Sequence, residues 1–449
     1  MFLFVFSLIL FILNIICFVK KKYLYLFIPC MLFLPAYYGL EFNSAFPILT
    51  ITRIMFLIFY LYAFINKRRN LSFSIKNIHS LSVPYKLLIG YFVLRLISNL
   101  YYVTTYGQAG KTFFLIIFEQ LLFVIAIYVL APTKKEVDTV INIIICVATL
   151  LFIIGIFESY TYIRPFDSLY TVSRHVMNEH YVRLGFLRAT TTFGMPGMYA
   201  NMCVMILPLI LYMYRKEMHK RYLLSAGLCF LAIIHAGSRS DLLYLIPILG
   251  IYFIYVLREK HDRLIFLKNL LAVLAFVLIF IVTVSVIYPS ARYYYAGTGK
   301  SLLNEVGFNF DLSVDAPEGS DGFGTNSVRG SVSRTQQLTG LLYTSRINPL
   351  FGLGSGAQVR DAVQYYWNNK WHIVNSYDLG LVEIYCDEGI LGILGILLLL
   401  AHLALLSKRK PLLQLLLITY LLTTLNTVNM FPFLFVYLTI IHVSKTTEK

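Results

Sequence analysis

Long apolar runs separated by short polar connections dominate the chain. Thirteen runs stand out, over residues 2–19, 23–40, 48–65, 85–103, 112–130, 140–159, 193–214, 222–236, 242–257, 267–288, 379–405, 412–426 and 430–444. A bilayer-crossing helix needs about 20 predominantly apolar residues, so each run predicts a membrane helix. Several are short, and the last two share one stretch broken near Asn426, Asn429 and Pro432, which sets the range at 12–14 spans. Every second connection is basic: Lys20 to Lys22, Lys67 to Arg69, Lys134 and Lys135, Arg215 to Arg221, Arg258 to Lys268, Lys408 to Lys410, then Lys445 and Lys449. Basic loops mark the cytoplasmic side. The opposite side receives two long loops, about 160–192 and 289–378, and short turns.

The expected fold is therefore an all-α polytopic integral membrane protein. It has a helix bundle over 1–288, a long outward loop over 289–378 and C-terminal membrane helices over 379–449. Within the long loop, the Gly-, Ser- and Asp-rich piece 297–330 reads as irregular. Residues 333–346 predict a short amphipathic helix, with Ser333 as N-cap and Leu338, Leu341 and Leu342 on one face. A second such helix is expected over 357–369.

Composition agrees. The 449 residues are 58% hydrophobic and 13% charged, against roughly 45–50% and about 25% in soluble domains. The net charge of +16 does not point to nucleic acid, because most lysines lie in the short loops. All six cysteines (Cys17, Cys30, Cys146, Cys203, Cys229, Cys386) fall inside apolar runs without CxxC spacing, which argues for buried thiols rather than disulfides or zinc. The opening run has no basic segment before it and no small-x-small cleavage site. It is expected to stay as a helix with its N-terminus outside. There is no GxxxxGK loop, no DxD pair and no HExxH. The loop acids Asp311, Asp315, Glu318 and Asp321 lack calcium-loop spacing, so neither metal nor cofactor is expected.

The outward loops carry arginine where the inward ones carry mostly lysine: Arg164, Arg174, Arg183, Arg188, Arg239, Arg292, Arg329, Arg334, Arg346 and Arg360. Arginine suits two-pronged binding of phosphate. This predicts an outward site for a phosphate-bearing substrate; the plainer alternative is pairing with loop acids or lipid headgroups. Charges inside apolar runs point in the same direction. Arg53, near an outward helix end, either reaches that phosphate or snorkels. Arg95 and Glu119 fall at matching depth in consecutive spans and are expected to form a structural ion pair. The stretch LRATTTFGMPGMYAN (Leu187 to Asn201) interrupts a helix start, where free backbone N–H groups can meet an anion. HAGSRSDLL (His235 to Leu242) forms a tight outward turn, with His235 either an interface hydrogen-bonder or a base.

RATTTFGMPGMYAN, then SRSDLL, then NPLFGLGSG (Asn348 to Gly356), then an Asp-x-Gly pattern and EGILG (Glu388 to Gly392), occur in that order over residues 185–395. Together they resemble the O-antigen polymerase and ligase superfamily. The resemblance implies a metal-independent membrane glycosyltransferase acting on undecaprenyl-diphosphate-linked oligosaccharide in the bacterial cytoplasmic membrane, with its active site outside. It implies diphosphate-binding roles for Arg188, Arg239 and Arg334, with Arg346 nearby. Gly352, Gly354 and Gly356 then shape the substrate cavity or simply turn the chain. Where ligases carry His-Asn as base, this chain has Tyr377-Asp378, which is more similar to the polymerase branch. The base is Asp378 or His372. Implied partners are the lipid-linked oligosaccharide, membrane lipids and a chain-length regulator protein. Two rivals stay open: a ligase using another lipid acceptor, and a lipid-linked oligosaccharide flippase, for which internal pseudo-repeats and a charged path between helices would speak.

Overall fold

The computed structural model describes residues 2–42, 48–69, 81–172, 181–183, 185–256, 260–305, 307–311, 337–367, 369–374, 377, 379–408, 410–425 and 430–446. Arg334 and Asp378 lie outside these, as do Ser333 and most of the 297–330 piece. Helices occupy all thirteen predicted runs: α1 (Phe2–Val19), α2 (Tyr23–Phe33), α3 (Ile51–Ile65), α4 (Val83–Tyr102), α5 (Gly107–Leu130), α6 (Lys134–Thr161), α7 (Pro196–Glu217), α8 (Lys220–Ala236), α9 (Arg239–Val256), α10 (Lys260–Ile287), then, after the long loop, α13 (Gly380–Ser407), α14 (Pro411–Thr423) and α15 (Phe431–Thr446). Among the described residues, α1, α4, α5, α6, α7, α10 and α13 are the seven helices long and apolar enough to cross a membrane. The long loop itself contributes α11 (Pro289–Glu305) and α12 (Thr339–Ile347). Part of the piece expected to be irregular, 297–305, is thus helical. The expected helix over 357–369 is a hairpin instead, strand Gln364–Trp367 pairing with Lys370–Ile373. Aromatic side chains favour the pleated surface, and Asp361 and Asn369 take left-handed backbone (φ 55° and 58°) that stops a helix.

The chain forms two compact units. The first comprises Met1–Leu34, Tyr38–Val140 and Val332–Lys449. Here α4 lies along α13, and a Cβ on Gly90 would stand 2.8 Å from the Leu398 side chain. Small residues allow such close helix approach in hydrocarbon. At the crossing the buried Arg95 pairs with the buried Glu388 through both guanidinium prongs. The expected Arg95–Glu119 pair is therefore replaced. Glu119 instead accepts from Arg53 Nε at 2.7 Å. The reason is local: α5 contains a π-helical turn, Ile116–Leu121, around Glu119. One extra residue in a turn rotates the remainder of the helix by about 100°, so matching depth did not fix the facing direction.

The second unit comprises Pro35–Tyr37 and Ile141–Ser331. Its centre is α7, the most thoroughly buried of the candidate spans. Pro196 opens α7 at the first helical position, where its missing N–H has no partner to lose. A short hairpin pairs Val182 with Leu187 and Arg183 with Phe186, and leads into the loop before α7.

Candidate functional site

The second unit gathers three of its arginines around the turn between α8 and α9. That turn exists because α8 ends in Gly237, whose φ of 63° suits a residue without Cβ. Helix ends leave carbonyls without intrahelical partners, and two of them face the hairpin. Ala236 O accepts from Arg188 Nε at 2.8 Å, and Gly237 O accepts from Arg183 at 2.6 Å. The hairpin makes this convergence possible. Residues alternate faces along a strand, and Arg188 N donates to Tyr181 O at 2.8 Å, which extends the ladder by one pair. Arg183 and Arg188 thereby share one face. Arg239, at the start of α9, donates to Ser301 Oγ on α11 at 2.9 Å.

This clustering is costly for the cations. Burial, and after it Arg239, holds Arg183 below the usual guanidinium range. Burial, and after it Arg183, pushes Arg188 down to about 10. Among the described residues no carboxylate bonds either one. Each guanidinium has five donors, and most of those on Arg183 and Arg188 have no acceptor among the described residues. The site is therefore electropositive and has donors to spare.

Glu158, which carries no motif to mark it in the sequence, organises the floor. Its Oε2 accepts from the backbone N–H groups of Thr190 and Thr191 at 3.0 and 2.9 Å. The anion expected at this interrupted helix start is thus the chain's own carboxylate. Ala189 N donates to His235 O at 3.1 Å, tying the Arg188 loop to the end of α8. His235 is fully buried.

The NPLFGLGSG motif belongs to the first unit and does different work. At Gly389 (φ 66°, ψ −157°) α13 leaves helical geometry, which frees backbone groups on both sides of the break. Unsatisfied backbone is expensive in hydrocarbon. The motif supplies the partners: Leu353 N and Gly354 N donate to the carbonyls of Cys386 and Asp387 (2.7 and 3.0 Å), while Ile390 N and Leu391 N donate to those of Pro349 and Leu350 (2.9 and 3.2 Å). Asp387 then accepts from the N–H groups of Gly356 and Ala357 at 2.8 and 3.2 Å. A Cβ on Gly352 would stand 2.6 Å from Gly389 N, so contact this close needs glycine. Gly354 lies against Tyr102 and Tyr106, and Gly356 against Gln108. Arg360 stacks 3.9 Å above the Tyr106 ring and donates to the carbonyls of Leu353, Gly354 and Ser355.

Arg53 and Arg346 also belong to the first unit. Arg53 is held by Glu119, and Arg346 is exposed in the last turn of α12. His372 is half-buried in the 364–373 hairpin, its ring 5.5 Å from the Tyr365 ring and stacked on it. Of the predicted site residues, then, Arg188 and Arg239 are brought together, joined by Arg183. Arg183 was visible among the outward arginines, but the two-residue strands that align it with Arg188 carry almost no sequence signal.

No family model matches this chain, and no curated protein matches it.

Proposed function

We propose that this membrane-embedded protein is a polymerase of lipid-linked surface polysaccharide. It moves a growing glycan from undecaprenyl diphosphate onto a sugar hydroxyl of the next lipid-linked unit. The observation that carries the reading is the convergence of Arg183, Arg188 and Arg239 on one turn, with guanidinium donors of Arg183 and Arg188 left over among the described residues. In such a transfer the acceptor oxygen bonds to the anomeric carbon, and the bond from that carbon to the diphosphate oxygen breaks. Its electron pair leaves with the diphosphate. Fixed donors that meet this growing charge lower the barrier without reorganising, and forked guanidinium groups match phosphate oxygens. The order of the sequence motifs resembles the polymerase and ligase superfamily, and the Asp-x-Gly pattern in place of His-Asn resembles its polymerase branch, which supports the same reading. Arg53 is engaged by Glu119 and is left out of the clamp.

The test is purified protein incubated with lipid-linked repeat units alone. A glycan ladder is the expected result. Transfer only to an added second acceptor would make the protein a ligase, and movement of the lipid-linked unit across a vesicle without any new glycosidic bond would make it a transporter.

A further inference from the structure

The site proposed above needs a group to take the proton of the attacking hydroxyl. The backbone of His235 lies beside the arginine cluster. Its own carbonyl accepts from Ala189 N, and the next two carbonyls, those of Ala236 and Gly237, hold Arg188 and Arg183. Its ring chemistry can be read from its partners. Nδ1 is 2.7 Å from Leu231 O. A carbonyl only accepts, so Nδ1 carries the proton and Nε2 of the neutral ring is left as an acceptor. Nε2 faces two phenols, Tyr295 Oη at 3.0 Å and Tyr160 Oη at 3.2 Å, and these two hydroxyls also hydrogen-bond each other. Each phenol has one proton. One donates to Nε2 and the other donates to the first, so the outer oxygen keeps free lone pairs. His235 is fully buried, whereas Tyr160 and Tyr295 are only half-buried. The chain of hydrogen bonds therefore runs inward from the more accessible phenols to a buried base.

We infer that His235 is the proton acceptor of the transfer reaction, acting through Tyr160 and Tyr295. This rests on the polymerase reading. As the acceptor oxygen bonds to the anomeric carbon, its proton passes to the outer phenol oxygen. That phenol's proton passes to the inner one, and the inner phenol's proton to Nε2. The ring becomes imidazolium, both tyrosines end neutral, and the diphosphate leaves with the electron pair of the broken bond. His235 does not touch substrate; it is a relay residue.

The experiment measures ladder formation from lipid-linked repeat units by the wild type, His235→Gln and the double variant Tyr160→Phe with Tyr295→Phe. Each is run with an ordinary acceptor unit and with one fluorinated beside the attacking hydroxyl, which makes that hydroxyl more acidic. Loss of a positioned base lowers the rate by roughly 10²- to 10⁴-fold, so His235→Gln should slow the ordinary acceptor at least about 100-fold. The deficit should shrink to about tenfold or less with the fluorinated acceptor, which needs less help to lose its proton. Binding of the donor lipid should stay near the wild-type level. Combining Tyr160→Phe with Tyr295→Phe removes both hydroxyls that reach Nε2, keeps the ring packing and should follow the same pattern, which covers the case in which His235→Gln does not fold. A wild-type rate in both variants, or an equal deficit with both acceptors, overturns the relay and leaves the polymerase reading standing. If the wild type forms no ladder, the polymerase reading falls and takes the relay with it.

Discussion

Arg188 shows why position in the chain says little about the company a residue keeps. It stands alone in the sequence, yet a hairpin of two-residue strands lays it beside Arg183 and a helix end lays both beside Arg239. Arg183 and Arg188, held together with no carboxylate bonded to either among the described residues, gain from binding an anion. Inorganic diphosphate should therefore raise the melting temperature of the wild type, and Arg183→Ala should abolish the shift, while Arg346→Ala, exposed on α12, should keep it. A scan of all three proteins with and without diphosphate checks this. In the ladder assay Arg188→Ala should lose roughly 10²- to 10³-fold in rate, the scale of removing one preorganised donor. Arg188→Lys should recover only part, because a point charge does not reproduce the fork. Full activity in Arg188→Ala would remove the clamp.

At the scale of elements the informative feature is a helix that is not continuous. The apolar pattern of α13 reads as one span, and one long apolar helix is present, but Gly389, the first glycine of EGILG, opens it and the NPLFGLGSG segment closes the gap. Two motifs that looked like separate glycine-rich signals are thus halves of one backbone arrangement. The ion pair was misjudged for a related reason. Counting residues gives the height of a side chain along a helix, whereas its partner depends on rotation, and the π turn around Glu119 changes that rotation without any mark in the apolar pattern. Arg95→Met should destabilise the protein strongly, since leaving one member of a buried pair uncompensated costs about 3–5 kcal/mol. Arg95→Met combined with Glu388→Leu should recover most of that loss. Resistance to heat-induced aggregation in detergent, measured for the two variants and the wild type, tests the expectation; equal loss in both would show that packing, not charge, dominates there.

For the molecule as a whole, the helices were legible and their sideways partners were not. Hydrophobic burial in lipid is written into composition, so all thirteen apolar runs hold helices. The 364–373 hairpin and α11 were missed because a long loop between apolar runs can form its own packed structure, and the apolar signal there is diluted by Gly, Ser and Tyr. The sidedness predicted by alternate basic loops is open to direct measurement. Single cysteines at Lys20 and Lys216 should react with an impermeant maleimide only after the cells are opened, and single cysteines at Ser168 and Lys300 should react in intact cells. Labelling of all four positions from the same side would overturn the arrangement.

The Arg95–Glu388 contact also constrains how the protein is made. The two residues are separated by 293 positions, so α4 leaves the ribosome long before its counter-charge exists. During that interval Arg95 has no carboxylate from α13 to neutralise it, and a lone arginine is expensive in hydrocarbon. Biogenesis must therefore keep α4 near the insertion machinery or the interface until α13 arrives, and α13 in turn cannot release Ile390 and Leu391 N–H groups into lipid until Pro349 and Leu350 have reached them. The last third of the chain thus acts as a checkpoint on the first. Nascent chains ending before residue 380 should remain crosslinkable to the insertion machinery through a probe beside Arg95, and chains extended past residue 407 should be released.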